Sequence, residues 1–331
     1  MLNLRKKTNS ALITKTTLTI FLALLIATML TACASSKPEW PNPGAYGNMS
    51  RTAGAKFSKP PMNTPPPDPA LHKELPEMTA ADYEASGDLY LGNDDATMAF
   101  VQYEKALALD PENARLQYKQ GLLFLNAGNH EQALAAFEKV LQKAPSLAVA
   151  SEGMGTAYFE LRRYDQAETY FLQAVALDPA LWKSRNFLGN IYDFQNAYDR
   201  AAAEYAAAIR ARPDDGLLYN NLGVSLYLAG RDAEAIDAFR LALEHKGPKG
   251  RVYNNLGLVL ARTGRYDAAL DAFMRASDRA AAYNNLGCVY LSQGHHREAA
   301  QAFNKAIELR PRFYSRANDN LKKIQLEEAM R

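Results

Sequence analysis

Few side chains in this 331-residue sequence are arranged for covalent chemistry, and many are arranged for holding hydrogen bonds. Of the two cysteines, Cys33 ends the stretch Leu30-Thr31-Ala32-Cys33, with small residues just before it, and Cys288 stands alone as a small buried hydrophobe. Asparagine recurs in pairs inside one pentapeptide, YNNLG, at Tyr219–Gly223, Tyr253–Gly257 and Tyr283–Gly287. A carboxamide donates and accepts hydrogen bonds at once, so a row of them can grip a polypeptide backbone whatever its side chains. Other chemistry lacks a constellation. The five histidines are scattered, His295-His296 reads as a solvated pair in a turn, and no His/Cys cluster has zinc spacing. No phosphate-cradling glycine loop and no nucleophile–base pairing can be traced. These residues predict a protein that is not an enzyme, with no cofactor, no metal and no small-molecule substrate.

The N-terminus reads as a targeting segment. Arg5, Lys6, Lys7 and Lys15 lead into the apolar run Leu18–Leu30, which has the length of a signal-peptide core and is short for a membrane span. With Leu30-Thr31-Ala32-Cys33 behind it, this segment resembles the signal sequence of bacterial lipoproteins, which implies cleavage of residues 1–32 and lipidation of Cys33. Several acyl chains hold a protein to a membrane far better than one, because each buried CH₂ contributes about 0.8 kcal/mol. Ala34 follows the cysteine, which within that family implies the outer membrane, facing the periplasm. Removal of the four basic residues turns the formal net charge of +2 into −2, and no clustered basic face remains, so nucleic acid is excluded as a partner. With Cys33 lipidated, Cys288 has no disulfide partner.

Between Ala34 and Glu77 stand ten of the 16 prolines. Proline lacks an N–H and restricts its predecessor, so no helix or sheet interior persists there. Residues 33–77 read as a lipidated, disordered tether, reaching roughly 40 Å as coil and about 130 Å if extended. The alternative is that the segment packs onto the repeats beyond Glu77, with Trp40 and Tyr46 docking.

The remainder, 78–331, is periodic. Glycines fall at Gly87, Gly121, Gly155, Gly189, Gly223, Gly257 and Gly287. Twelve residues after each comes an alanine, from Ala99 to Ala299, and four later an aromatic: Tyr103, Phe137, Phe171, Tyr205, Phe239, Phe273 and Phe303. The frame resembles the tetratricopeptide repeat, a 34-residue helix–turn–helix. That resemblance predicts an all-α solenoid of seven units at about 80–113, 114–147, 148–181, 182–215, 216–249, 250–279 and 280–313, coiled into a superhelix and closed by a capping helix at 314–330. Gly128, Gly230, Gly264 and Gly294 fall where first helices stop, a position that favours positive φ. The sixth unit is short by about one turn, and the fifth ends in Lys246–Gly250 (KGPKG) instead of a proline. These two joints are either a tolerated deletion or a local change in curvature.

In tetratricopeptide proteins the first helix of each unit lines the inner groove. The resemblance therefore implies peptide contact by Asn186, Asn220, Asn221, Asn254, Asn255, Asn284 and Asn285, although asparagine there also serves local hydrogen bonding. Phe159, Phe187 and Phe194 supply either an apolar floor or more core. A basic clamp for a C-terminal carboxylate is not expected in the groove, because Glu84, Tyr118, Glu152 and these asparagines stand where its lysines would be. Anchor and repeats together are similar to the lipoproteins of pilus and secretion machines, the Flp/Tad-type pilus assembly lipoproteins among them. That likeness implies a membrane-anchored scaffold whose protein partner is an extended peptide or a secretin or pilus component. The alternative is an adaptor for periplasmic cell-wall hydrolases or proteases.

Overall fold

The computed structural model describes residues 77–310 and 315–329. The segment read as a signal, Cys33 and the proline-rich stretch up to residue 76 lie outside them. Among the described residues there are fifteen helices and no strand. None of those helices is long and apolar enough to cross a membrane.

The chain divides into two compact units on either side of Arg212 and Pro213. In the first, eight helices form four hairpins: α1 (Ala80–Gly92) with α2 (Ala96–Leu109), α3 (Ala114–Asn126) with α4 (His130–Lys143), α5 (Ala148–Glu160) with α6 (Tyr164–Leu177), and α7 (Trp182–Phe194) with α8 (Tyr198–Ala211). In the second, three hairpins pair α9 (Gly216–Leu228) with α10 (Asp232–Glu244), α11 (Lys249–Arg262) with α12 (Tyr266–Ala276), and α13 (Arg279–Ser292) with α14 (His296–Leu309). Helix α15 (Ser315–Ala329) packs on α14. Within each unit the second helix of one hairpin packs on the first helix of the next. The all-α repeat fold is thus the one the periodicity predicts.

Local chemistry sets the helix ends. Thr79 accepts from the Asp82 amide while Asp82 reaches back to the Thr79 amide, a reciprocal capping box that opens α1. Asp95, Asn113, Asp215 and Asp278 cap α2, α3, α9 and α13 through their side chains. Every hairpin turns through a left-handed residue at the same repeat position. Four are glycines with φ near 77°, whereas Asp94, Arg162 and Asn196 hold φ between 58° and 61°. Arg162 has no side chain suited to that region, where an L-residue is strained by roughly 1–2 kcal/mol.

The core is one contact repeated. Each motif glycine lies beneath the aromatic ring sixteen residues later in the same hairpin, and all seven rings are buried. Each such ring contributes about 1.5–3 kcal/mol of burial. A β-carbon at Gly223 would sit 2.6 Å from the Phe239 ring, which is van der Waals overlap with a side chain that has no room to retreat.

The irregular joints have a local cause. Helix α12 has 11 residues where the other second helices have 13 or 14, and Asp278 caps α13 directly after it, its Oδ1 accepting from the Ala281 amide at 3.0 Å. At the KGPKG joint Lys246 is left-handed, the Gly247 amide donates to Ala242 O at 2.7 Å, and Gly216 N donates to His245 O at 3.1 Å. A β-carbon at Gly247 would lie 2.5 Å from Ala242 O, so this turn needs glycine for space.

Two substitutions test these statements by thermal melting. Gly223→Ala is expected to destabilise by about 1–3 kcal/mol, with part of the loss recovered in the double variant Gly223→Ala/Phe239→Leu. Arg162→Gly is expected to stabilise by about 0.5–1 kcal/mol, because relief of left-handed strain exceeds the added chain entropy.

Candidate partner-binding face

The candidate site lies on the first helices. In the second unit the asparagine pairs of α9, α11 and α13 fall in register, and the geometry joins them sideways. Asn255 Nδ2 donates to Asn220 Oδ1 at 3.1 Å, and Asn285 Nδ2 donates to Asn254 Oδ1 at 3.0 Å. The second asparagine of one hairpin thus bonds the first asparagine of the hairpin before it. Asn220 Nδ2 also donates to Asn221 Oδ1 at 3.4 Å, and Asn284 Nδ2 points at Cys288 Sγ, 3.9 Å away.

Burial divides the seven expected residues. Asn186, Asn220, Asn221 and Asn284 are buried, at 3% exposure or less, whereas Asn254, Asn255 and Asn285 are half-buried. Asn285 Oδ1 is buried and has no hydrogen-bond partner among the described residues. The local hydrogen bonding that the sequence left as an alternative is therefore present. Asn186 sits in α7, in the other unit, apart from this row in the chain and buried in its own helix face.

The first unit uses different residues at the same place. Glu84 of α1 meets Arg115 and Lys119 of α3, with Lys119 Nζ 2.6 Å from Glu84 Oε1 and 2.7 Å from Asp88 Oδ1. Burial pushes the Glu84 carboxyl up, but hydrogen bonds and charge from Lys119 and Arg115 outweigh it and hold the group below its ordinary value. Glu152 of α5 accepts from the Ser184 amide at 3.2 Å and from Ser184 Oγ at 2.7 Å. In α1, α5, α9 and α11 the residue at one repeat position accepts hydrogen bonds from the next first helix, 31 to 35 residues on. Sequence reasoning missed this linkage. Its signal was a donor about one repeat length after each acceptor.

The phenylalanines of the first unit are mainly core. Phe159 and Phe187 are buried with ring centroids 4.9 Å apart, and Phe187 stacks on Phe171. Only Phe194 reaches the surface, at 39% exposure, against Tyr164 at 5.1 Å. Cys288 is buried in the cluster of Ala280, Phe303 and Ile324, where Asn320 Nδ2 of α15 approaches its sulfur at 3.6 Å. His295 lies at the start of α14, 3.4 Å from the Tyr266 hydroxyl. Among the described residues no group of His, Cys, Asp or Glu is placed to hold a metal ion.

Comparison with known proteins agrees with this architecture. Two family models described as tetratricopeptide repeat match the chain, one over residues 85–148, 153–215 and 188–251, the other over 250–312. No protein of curated function matches it. Among solved structures, a tetratricopeptide repeat protein from Parabacteroides merdae ATCC 43184 is similar over 74% of this chain and 98% of its own, at 16% identity and a TM-score of 0.51. MamA is 26% identical with a TM-score of 0.46, over 50% of this chain and 91% of its own. YrrB, described as a TPR protein with an unusual peptide-binding site, is 23% identical with a TM-score of 0.47, over 56% of this chain and 98% of its own. With repeat models spanning about two thirds of its residues and an aromatic ring seated on a bare glycine in every hairpin, the chain belongs to the tetratricopeptide-repeat family.

Proposed function

We propose that this protein is a membrane-anchored, non-catalytic scaffold that holds a partner polypeptide against its first-helix faces. The observation that carries the reading is the row of half-buried asparagines on α11 and α13, which bond from hairpin to hairpin in register. Such groups offer donors and acceptors at repeat spacing to an extended backbone, which needs both. Protein–protein interaction is the work of this repeat family, and each hairpin buries its apolar side on its neighbours, leaving the polar face for partners. The anchor is argued from sequence: the basic and apolar leader followed by Leu30-Thr31-Ala32-Cys33 supports lipidation at Cys33 and attachment to the outer membrane on the periplasmic side. Within that setting the role is assistance in assembling a pilus or secretin machine, with an extended segment of one of its components as the partner.

Two experiments test these points. Asn255→Ala/Asn285→Ala is expected to lower stability by about 1 kcal/mol for each lost hydrogen bond and to weaken capture of the partner by about tenfold or more. A lower melting temperature with unchanged capture would show that the row serves only the stack. Cys33→Ser is expected to release the protein from membranes into the soluble periplasmic fraction; continued co-sedimentation with lipid would exclude the thioether anchor.

A further inference from the structure

The first hairpin leaves open a position that every later hairpin buries. Leu89 of α1 is 67% exposed, whereas its counterparts in the other first helices, Leu123, Ala157, Ile191, Ser225, Val259 and Val289, are all buried. Asp82, two turns earlier, repeats the contrast: it is exposed, and its counterparts from Leu116 to Ala282 are buried. In α3 this side is covered by the preceding hairpin, since Leu116 and Leu123 pack with Ala99, Phe100, Tyr103 and Ala106 of α2. No hairpin precedes α1 among the described residues. The same side of α1 therefore presents Ala85 and Leu89 to the surface, and Met78, 44% exposed, stands at the start of the helix. A single exposed leucine is ordinary, but one at a position buried in six of seven equivalents calls for a cover.

The chain outside the described residues arrives at this helix. Residue 76 lies three before the Thr79 cap, and it ends the stretch Asp68-Pro69-Ala70-Leu71-His72-Lys73-Glu74-Leu75-Pro76. Five of the first six residues of that stretch match Asp178-Pro179-Ala180-Leu181-Trp182-Lys183, which opens α7. There Asp178 Oδ1 accepts from the Ala180 amide at 2.9 Å, and Leu181 is the N-cap. The match predicts one helical turn from Leu71 to Leu75, stopped by Pro76, with both leucines on one side. Its reach suits α1. Leu89 lies about 15 Å along the helix from Thr79, at roughly 1.5 Å per residue. From Thr79 back to Leu71, one coiled turn and four extended residues span about 19 Å.

We infer that residues 68–76 dock antiparallel on the open side of α1, with Leu71 on Leu89 and Leu75 on Ala85, and close the N-terminal end of the repeats. A segment already joined to the helix competes at an effective concentration on the order of millimolar, which favours it over a second copy or a separate partner. The stretch read as a tether then runs free only as far as residue 67. The first hairpin thereby receives the cover that each later one takes from its predecessor. The inference uses neither the asparagine row nor Cys33, so it stands apart from the proposed function.

The test is photocrosslinking of the full-length protein with p-benzoylphenylalanine in place of Leu89, followed by mass spectrometry of the digested product. Expected is a link to a peptide within residues 68–76, in a species that migrates as a monomer. Melting gives the energetic counterpart. Leu89→Gln and Leu71→Gln/Leu75→Gln are each expected to lower the melting temperature by about 2–4 °C, and the three changes together by no more than either alone. Glutamine keeps the helix propensity of leucine, so an uncovered Leu89 would tolerate the change without a shift. A crosslinked dimer assigns this side to a second copy and overturns the inference. It is also overturned by a link only to another protein, by no link, by an unmoved melting temperature in Leu89→Gln, or by fully additive shifts.

Discussion

An aromatic ring resting on a bare glycine backbone is the contact on which the rest of this molecule depends. The glycine removes the one atom that would hold the helices of a hairpin apart, and the ring sixteen residues later fills the space so vacated. Because the ring is buried in every hairpin, it fixes the spacing between first and second helix identically from Tyr103 to Phe303. Equal spacing lets the hairpins stack within each unit, since there the second helix of one packs on the first helix of the next. The alanine four residues before each ring completes the close approach. At the KGPKG joint the same logic applies to backbone alone, with Gly216 and Gly247 in contact where side chains would collide.

Upon this apolar frame lies a polar one. The residue that closes the space between successive first helices is Glu84 in the first hairpin, Glu152 in the third, Asn220 in the fifth and Asn254 in the sixth. A carboxylate serves in the first and third hairpins, paired with cations at Glu84 and with a neutral serine at Glu152, and a neutral amide serves in the fifth and sixth. An amide pair is desolvated at less expense than an ion pair and still leaves hydrogen-bonding capacity at the surface. The row that joins hairpins to one another is the one proposed to meet a partner.

The turn residues, caps and short sixth hairpin show local rules holding across the array. Asp94, Arg162 and Asn196 take the left-handed conformation that glycine takes elsewhere, because hairpin geometry, set by the ring contact, overrides the preference of the residue. Asp278 starts α13 where the four missing residues would have been, so the stack resumes at once.

The repeat length, the helix–turn–helix unit and the seven buried rings were legible in the sequence, because period and residue size determine them directly: a glycine, an alanine and an aromatic recurring in phase admit one arrangement of two helices. The asparagine row was legible as a row, since equivalent repeat positions project alike. What its members touch was not. Asn255 bonds Asn220 and Asn285 bonds Asn254, and whether such amides face solvent, a neighbour or the core depends on the rotation between hairpins, which no local pattern specifies. Phe159 and Phe187 became core for the same reason, and only Phe194 reached the surface.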